Sequence, residues 1–183
     1  MRRLALLLAA VAGAFLLMLG SGTRPAALPL ARAGGSGLDA IVAGAVITQP
    51  FGCTPVAMEP FSAACASGHF HTGIDLAAPY GQPVFAAGAG VCEVVRSATG
   101  YGIHVLLIHD RSTVSLYGHL SEAVVRTSQL VVAGQQIGRL GSTGMSTGPH
   151  VHFEIREAGI PVDPRVWLPV LQGGERSDRN HTH

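Results

Sequence analysis

Short runs rich in Val, Ile and Leu, among them Gly90 to Arg96, Ile103 to His109 and Thr113 to His119, follow one another closely, and glycine-bearing turns separate them. Runs this brief are the length of strands rather than helices, and β-branched residues pack well on a pleated surface, so the pattern predicts strands. The 24 glycines favour tight turns and close backbone approach, and no fixed repeat period emerges. Helix has little room: one turn over Ser121 to Thr127 and another over Pro164 to Leu168 are the only segments that suit it. The expected architecture is all-β, a single antiparallel β domain of sandwich or partly open barrel type with minor peripheral helix.

The flanks read differently from the centre. Arg2 and Arg3 precede an uncharged apolar run from Leu4 to Gly20, and a Pro- and Ala-rich stretch ends in Ala31-Arg32-Ala33. This is the pattern of an export signal over residues 1–33, with cleavage expected after Ala33. The alternative is an uncleaved anchor, because the 17-residue run approaches the roughly 20 residues that span a bilayer. No cysteine lies near it, which excludes a lipid-modified cysteine there. Residues 34–44 read as linker, 45–170 as the domain and 171–183 as a disordered tail. A membrane is an expected partner only if the N-terminal segment stays uncleaved.

Cleavage would remove Arg2, Arg3, Arg24 and Arg32, leaving eight arginines against eleven acids, a net charge of −3 with neutral histidines. No basic patch remains, so nucleic acid is not an expected partner. The chain has no lysine at all. That absence excludes a biotinyl or lipoyl carrier domain, whose strand-and-glycine rhythm residues 83–141 share but whose cofactor is attached through a lysine amine. Three cysteines in an exported chain point to one disulfide and one spare thiol. Cys53 and Cys65 flank a loop-like stretch and are the preferred pair, although three pairings are open; Cys92 alternates in a strand pattern and reads as a small buried apolar residue.

In a strand, residues two apart share a face, so His71, Gly73 and Asp75 are expected to project one way and Thr72, Ile74 and Leu76 the other. The segment from Pro149 to Ile155 repeats the arrangement, with His150, His152 and Glu154 opposite Val151, Phe153 and Ile155. A zinc hydrolase commonly takes three ligands from His and carboxylate and keeps a fourth position for water, and two histidines with one aspartate meet that count. Gly73, Gly144 and Gly148 are expected to let a peptide backbone approach the metal. Spacing alone does not pick the ligands, because His69-Phe70-His71 is a second His-x-His. The reading gains force from both segments occurring in one exported β domain with a further histidine, His119, in Tyr117-Gly118-His119-Leu120.

Three motifs, His71-Thr72-Gly73-Ile74-Asp75, Tyr117-Gly118-His119-Leu120 and Gly141 to Glu154 with its Gly148-Pro149-His150-Val151-His152-Phe153-Glu154 end, resemble the M23 family of zinc metallopeptidases, the family of lysostaphin and LytM. The resemblance runs from about Ile47 to Leu168 and includes Pro50-Phe51-Gly52 and Val162-Asp163-Pro164. It implies a LytM-like fold, one Zn2+ per chain held by His71, Asp75 and His152, and catalytic histidines at His119 and His150. It further implies a zinc-bound water as nucleophile, with His150 as general base and His119 stabilising the developing charge, two roles that are interchangeable at this stage. The implied substrate is peptidoglycan peptides, and the implied location is secreted, periplasmic or cell-wall associated. All five residues are present, which matters because the family includes degenerate members that have lost ligands and act only as regulators of cell-wall amidases; that is the alternative reading. In the family the Glu154 position is not a ligand, and here it reads as hydrogen-bonding support. His69 reads either as support beside the ligands or as an exposed residue without a catalytic part, His104 and His109 receive ordinary hydrogen-bonded roles, His181 and His183 lie in the tail, and Tyr101 suits either a groove wall or packing. Nothing in the sequence decides between glycine-rich bridges and stems or cross-links containing D-amino acids.

Overall fold

The computed structural model describes residues 37–171, so the expected export signal and most of the expected tail lie outside the described residues. After a 3-10 turn over Gly37–Ala40 the chain forms strands β1 (Val46–Gln49), β2 (Gly52–Thr54), β3 (His69–His71), β4 (Ile74–Ala77), β5 (Pro83–Phe85), β6 (Gly90–Arg96), β7 (Ile103–Ile108) and β8 (Thr113–Leu120). Strands β9 (Glu122–Ala123), β10 (Leu130–Val131), β11 (Gln136–Arg139), β12 (His150–Glu157) and β13 (Ile160–Val162) follow, and helix α1 (Pro164–Leu171) closes the described chain.

The main sheet runs β1-β4-β12-β8-β7-β6-β10 with β13 paired to β12; β5-β11-β9 form a second sheet and β2-β3 a third. Neighbours pair antiparallel and the sheets do not close into a barrel. The expected antiparallel all-β fold is therefore the observed one. β12 is central because its alternate residues are apolar: Phe153 lies opposite Ile74 on one neighbour and Tyr117 on the other. Val151, Phe153 and Ile155 are fully buried with Ile74, Leu76, Val105, Leu107 and Tyr117. Burial of each such side chain contributes roughly 1.5–3 kcal/mol before the cost of ordering the chain.

Two local features differ from the sequence reading. Ser121 to Thr127 forms no helical turn; Glu122–Ala123 is strand β9, paired with Gly138 and Arg139, because the edge of the second sheet offers its backbone a partner. The core also reaches into the segment that reads as linker. Ile41 and Val42 are fully buried, and Phe85 N–H donates to Ile41 O at 2.9 Å. The expected helix after Asp163 does form. Pro164 occupies its first turn, where its missing N–H is no loss, and the Asp163 carboxylate accepts from Arg165 N–H at 2.9 Å as a cap. Cys53 and Cys65 form the disulfide, and Cys92 is free and buried.

Candidate metal centre

His71 and Asp75 sit on different sheets rather than on one strand. β3 ends at His71 against β2, and Thr72-Gly73 carry the chain into β4 of the main sheet. The step is pressed against β12: a Cβ at Gly73 would lie 2.5 Å from Phe153 O and 2.9 Å from His152 Nε2. Glycine is needed there for packing, and the expected opening toward a substrate is not its role. Gly144 is similarly confined, at φ +71° with a Cβ position 2.4 Å from Gly100 O, whereas a Cβ at Gly148 would meet nothing within 4 Å.

Pairing of β4 with β12 sets Asp75 directly across from His152, and the end of β3 brings His71 to the same point. Three atoms converge. His71 Nε2 and His152 Nδ1 are 3.0 Å apart, and Asp75 Oδ1 is 3.2 Å from the first and 3.0 Å from the second. Atoms held about 2.0–2.1 Å from one ion in tetrahedral directions would stand roughly 3.3 Å apart, so the triangle fits a small divalent ion with little adjustment. Among the described residues these three are the group whose ligand atoms cluster closely enough for a metal.

The rear nitrogens fix the front ones. His71 Nδ1–H donates to Pro50 O at 2.9 Å and His152 Nε2–H to Glu154 Oε1 at 2.9 Å, which leaves the opposite ring nitrogens with lone pairs turned to the centre. The electrostatics ask for a cation. Burial opposes charge on Asp75, yet the His152 and His71 rings beside it hold its carboxyl well below the usual carboxylate range. Burial likewise opposes charge on His152, but its bonds to Asp75 and Glu154 push it up to about 9. An imidazole between two carboxylates takes up a proton unless an ion replaces it.

His119 and His150 face each other beside this triangle with ring centroids 4.7 Å apart. His119 Nδ1–H donates to Thr143 O at 2.7 Å and His150 Nδ1–H to Gly148 O at 2.8 Å, so each ring keeps Nε2 free of that backbone bond. His150 Nε2 is 3.7 Å from Asp75 Oδ1. Ring burial, helped by the neighbouring histidines, lowers His119 to about 4. The aim of His119 comes from a bulge: Ile103 and Val105 on β7 pair with Leu120 and Tyr117, so two residues of β8 stand against one, and His119 adopts φ +58°.

A groove of about 360 Å³ passes over the centre, and Asp75, His119, His150 and His152 all line it. Thr72, Tyr101 and Met145 contribute to its surface, together with Met58, Glu59 and Pro60 from the disulfide-closed loop. Tyr101 thus lines the groove and also packs, its ring 5.3 Å from that of His152. The other histidines among the described residues stand apart from the three-residue cluster. His69 Nδ1–H donates to Glu59 O at 2.8 Å, His104 to Gly102 O at 3.1 Å, and His109 to Ala89 O at 2.7 Å with Ser115 Oγ 2.8 Å from its Nε2.

Sequence reasoning missed Thr72, Glu59 and Arg156. Thr72 reads as apolar-facing in a continuous strand, but the step at Gly73 turns its hydroxyl to Glu154 Oε1 at 2.6 Å. Glu59 Oε1 lies 3.9 Å from His71 Nε2 through a loop fold that no spacing encodes. Arg156 was findable, because strand alternation puts it beside Glu154, to which its Nε donates at 2.7 Å.

The family model for peptidase family M23 matches residues 69–164, more than half of the chain. The chain is similar to the DD-carboxypeptidase/endopeptidase Mpg of Neisseria meningitidis serogroup B, 43% identical over 125 residues, which are 68% of this chain and 27% of that protein. It spans only about a quarter of that relative's length. Among solved structures it is similar to a mutant catalytic domain of the prophage-encoded M23 protein EnpA from Enterococcus faecalis, at 38% identity, TM-score 0.57, and coverage of 66% of this chain and 89% of that one. The catalytic domain of the antimicrobial peptidase lysostaphin from Staphylococcus simulans matches at 32% identity and TM-score 0.56, over 68% of this chain and 92% of that one. The matched residues take in the whole cluster from His71 to His152, and the chain belongs to peptidase family M23.

Proposed function

We propose that this protein is an exported zinc metalloendopeptidase that hydrolyses peptide bonds in bacterial peptidoglycan, with His71, Asp75 and His152 as ligands and His119 and His150 as catalytic residues. The observation that carries the reading is the convergence of three donor atoms within 3.0–3.2 Å, beside two further imidazoles, in one open groove. The Neisseria relative is named as a carboxypeptidase and endopeptidase, which supports the reaction class.

A zinc ion at this centre would supply a Lewis acid that activates water near neutral pH and polarises the peptide carbonyl. His71 and His152 hold their positions through Pro50 O and Glu154, so little reorganisation is needed on binding. His150 is assigned as the proton acceptor: Gly148 O accepts from its Nδ1–H, which leaves Nε2 open, and that nitrogen stands 3.7 Å from Asp75 Oδ1 beside the metal cluster. His119, lowered to about 4, stays neutral in the resting site. Its one ring proton is on Nδ1 and is donated to Thr143 O, so Nε2 would first take up a proton released by the attacking water and would then donate it to the substrate oxygen as negative charge builds there. The intact set of five residues argues against a purely regulatory role.

Incubation of the zinc-loaded protein with peptidoglycans of known bridge composition, followed by mass spectrometry of the fragments, tests the proposal. New peptide termini that vanish with a chelator are expected, and their identity names the bond. Intact peptidoglycan in every preparation would refute the reading.

A further inference from the structure

Glu154 lies on β12 with no solvent exposure, and four side chains donate to its carboxylate. Oε1 accepts from Thr72 Oγ1–H and Tyr101 O–H, each at 2.6 Å, and from His152 Nε2–H at 2.9 Å; Oε2 accepts from Arg156 Nε at 2.7 Å. Arg156 Nη2 also donates to the Tyr101 phenolic Oη at 3.2 Å. A buried carboxylate is costly unless paired and hydrogen-bonded, and here every need is met. The identity of the donors makes the arrangement more than structural filling. One is an imidazole of the metal cluster and two line the groove.

The three bonds to Oε1 have separate consequences. The bond from His152 Nε2–H selects Nδ1 as the ligand atom and fixes the ring plane. The bond from Thr72 turns the residue between His71 and Gly73 toward the main sheet, across the step on which His71 depends. The bond from Tyr101 ties the phenol to Glu154, so that the ring stands as a wall against His152 while the hydroxyl donates to Oε1.

We infer that Glu154 is a positioning residue that joins the metal centre and the peptide groove into one unit, presenting His152 through Nδ1 and holding Thr72 and Tyr101 in the groove by the same oxygen. The substrate half of this inference rests on the peptidase reading; the metal half does not.

The test measures zinc affinity by chelator competition and the visible spectrum of the cobalt-substituted protein, then KM on soluble peptidoglycan fragments. Glu154→Gln removes the charge and sets an amide against Arg156; about 10–100-fold weaker metal binding, an altered cobalt spectrum and a raised KM are expected. Ile155→Ala empties a fully buried site on the other face of β12 and serves as the control for simple destabilisation. Its Tm should fall while its metal affinity stays within about threefold of the parent, well short of the loss that a displaced supporting carboxylate causes. Tyr101→Phe should raise KM and leave metal affinity unchanged. Parent-like metal binding by Glu154→Gln, or an equal loss in Ile155→Ala, overturns the inference. If Glu154→Gln does not fold, Glu154→Asp, which withdraws the charge from His152, takes its place under the same criterion. A parent protein that binds zinc but cleaves nothing would sink the peptidase reading and leave the metal comparison standing.

Discussion

At the scale of the residue, the histidines divide by what holds their rings. His71, His119, His150 and His152 each have one nitrogen anchored and the other available at the groove or the metal cluster, whereas both nitrogens of His109 are engaged inside the sheet. His109 is lowered by burial, which outweighs the bond to Ala89 O and the nearby Asp110. The unfolded chain therefore binds more protons below the ordinary imidazole value of about 6.5, and stability falls as pH drops through that value. Urea unfolding at pH 7 and pH 5 should show a smaller loss of stability in His109→Gln than in the parent. An unchanged difference would mean that His109 titrates alike in both states. His119 adds a loss of the same sign, so the comparison between the two proteins isolates His109.

At the scale of the element, the centre depends on β4 meeting β12 and on the two-residue step that delivers His71. Gly73→Ala would place a methyl against Phe153 O and His152 Nε2. A stability loss of about 1–3 kcal/mol is expected from such crowding, together with weaker zinc binding, because the obstruction falls on a proposed ligand as well as on the strand. Gly148→Ala meets open space, and its Tm and zinc affinity should match those of the parent; any loss of activity would then report on substrate access. Equal effects at the two glycines, read by calorimetry and zinc titration, would contradict this view of the step. The Gly73 constraint could not be read from sequence. A glycine between His71 and Asp75 suits an open approach as well as a packed one, and only the register of β12 decides between them.

At the scale of the whole molecule, the β architecture was legible because β-branched runs and glycine turns leave no other use for such short segments. The division into three sheets was not, since it depends on backbone pairing between distant strands, as in β11 with β5 and β9. Asp75 and His152 were legible as candidates from face alternation, and the cross-strand register now sets them opposite one another. The choice of His71 over His69 came only from the family resemblance. In the structure it follows from β3 ending at His71 while the ring of His69 turns to Glu59 O and Phe61. Thr72 and Glu59 reach the centre through a step and a disulfide-closed loop, features of tertiary structure that no local period announces.

The five residues are proposed for two different tasks, holding the ion and moving the proton. Bound zinc and new peptide termini released from purified peptidoglycan, measured together on the parent, His152→Ala and His119→Ala proteins, separate those tasks directly. The parent should bind one zinc per chain and cut; His152→Ala should lose both zinc and cutting; His119→Ala should keep the zinc and lose nearly all cutting. A His152→Ala protein that still binds zinc as tightly as the parent, or a His119→Ala protein that cuts at the parent rate, would contradict the proposed centre.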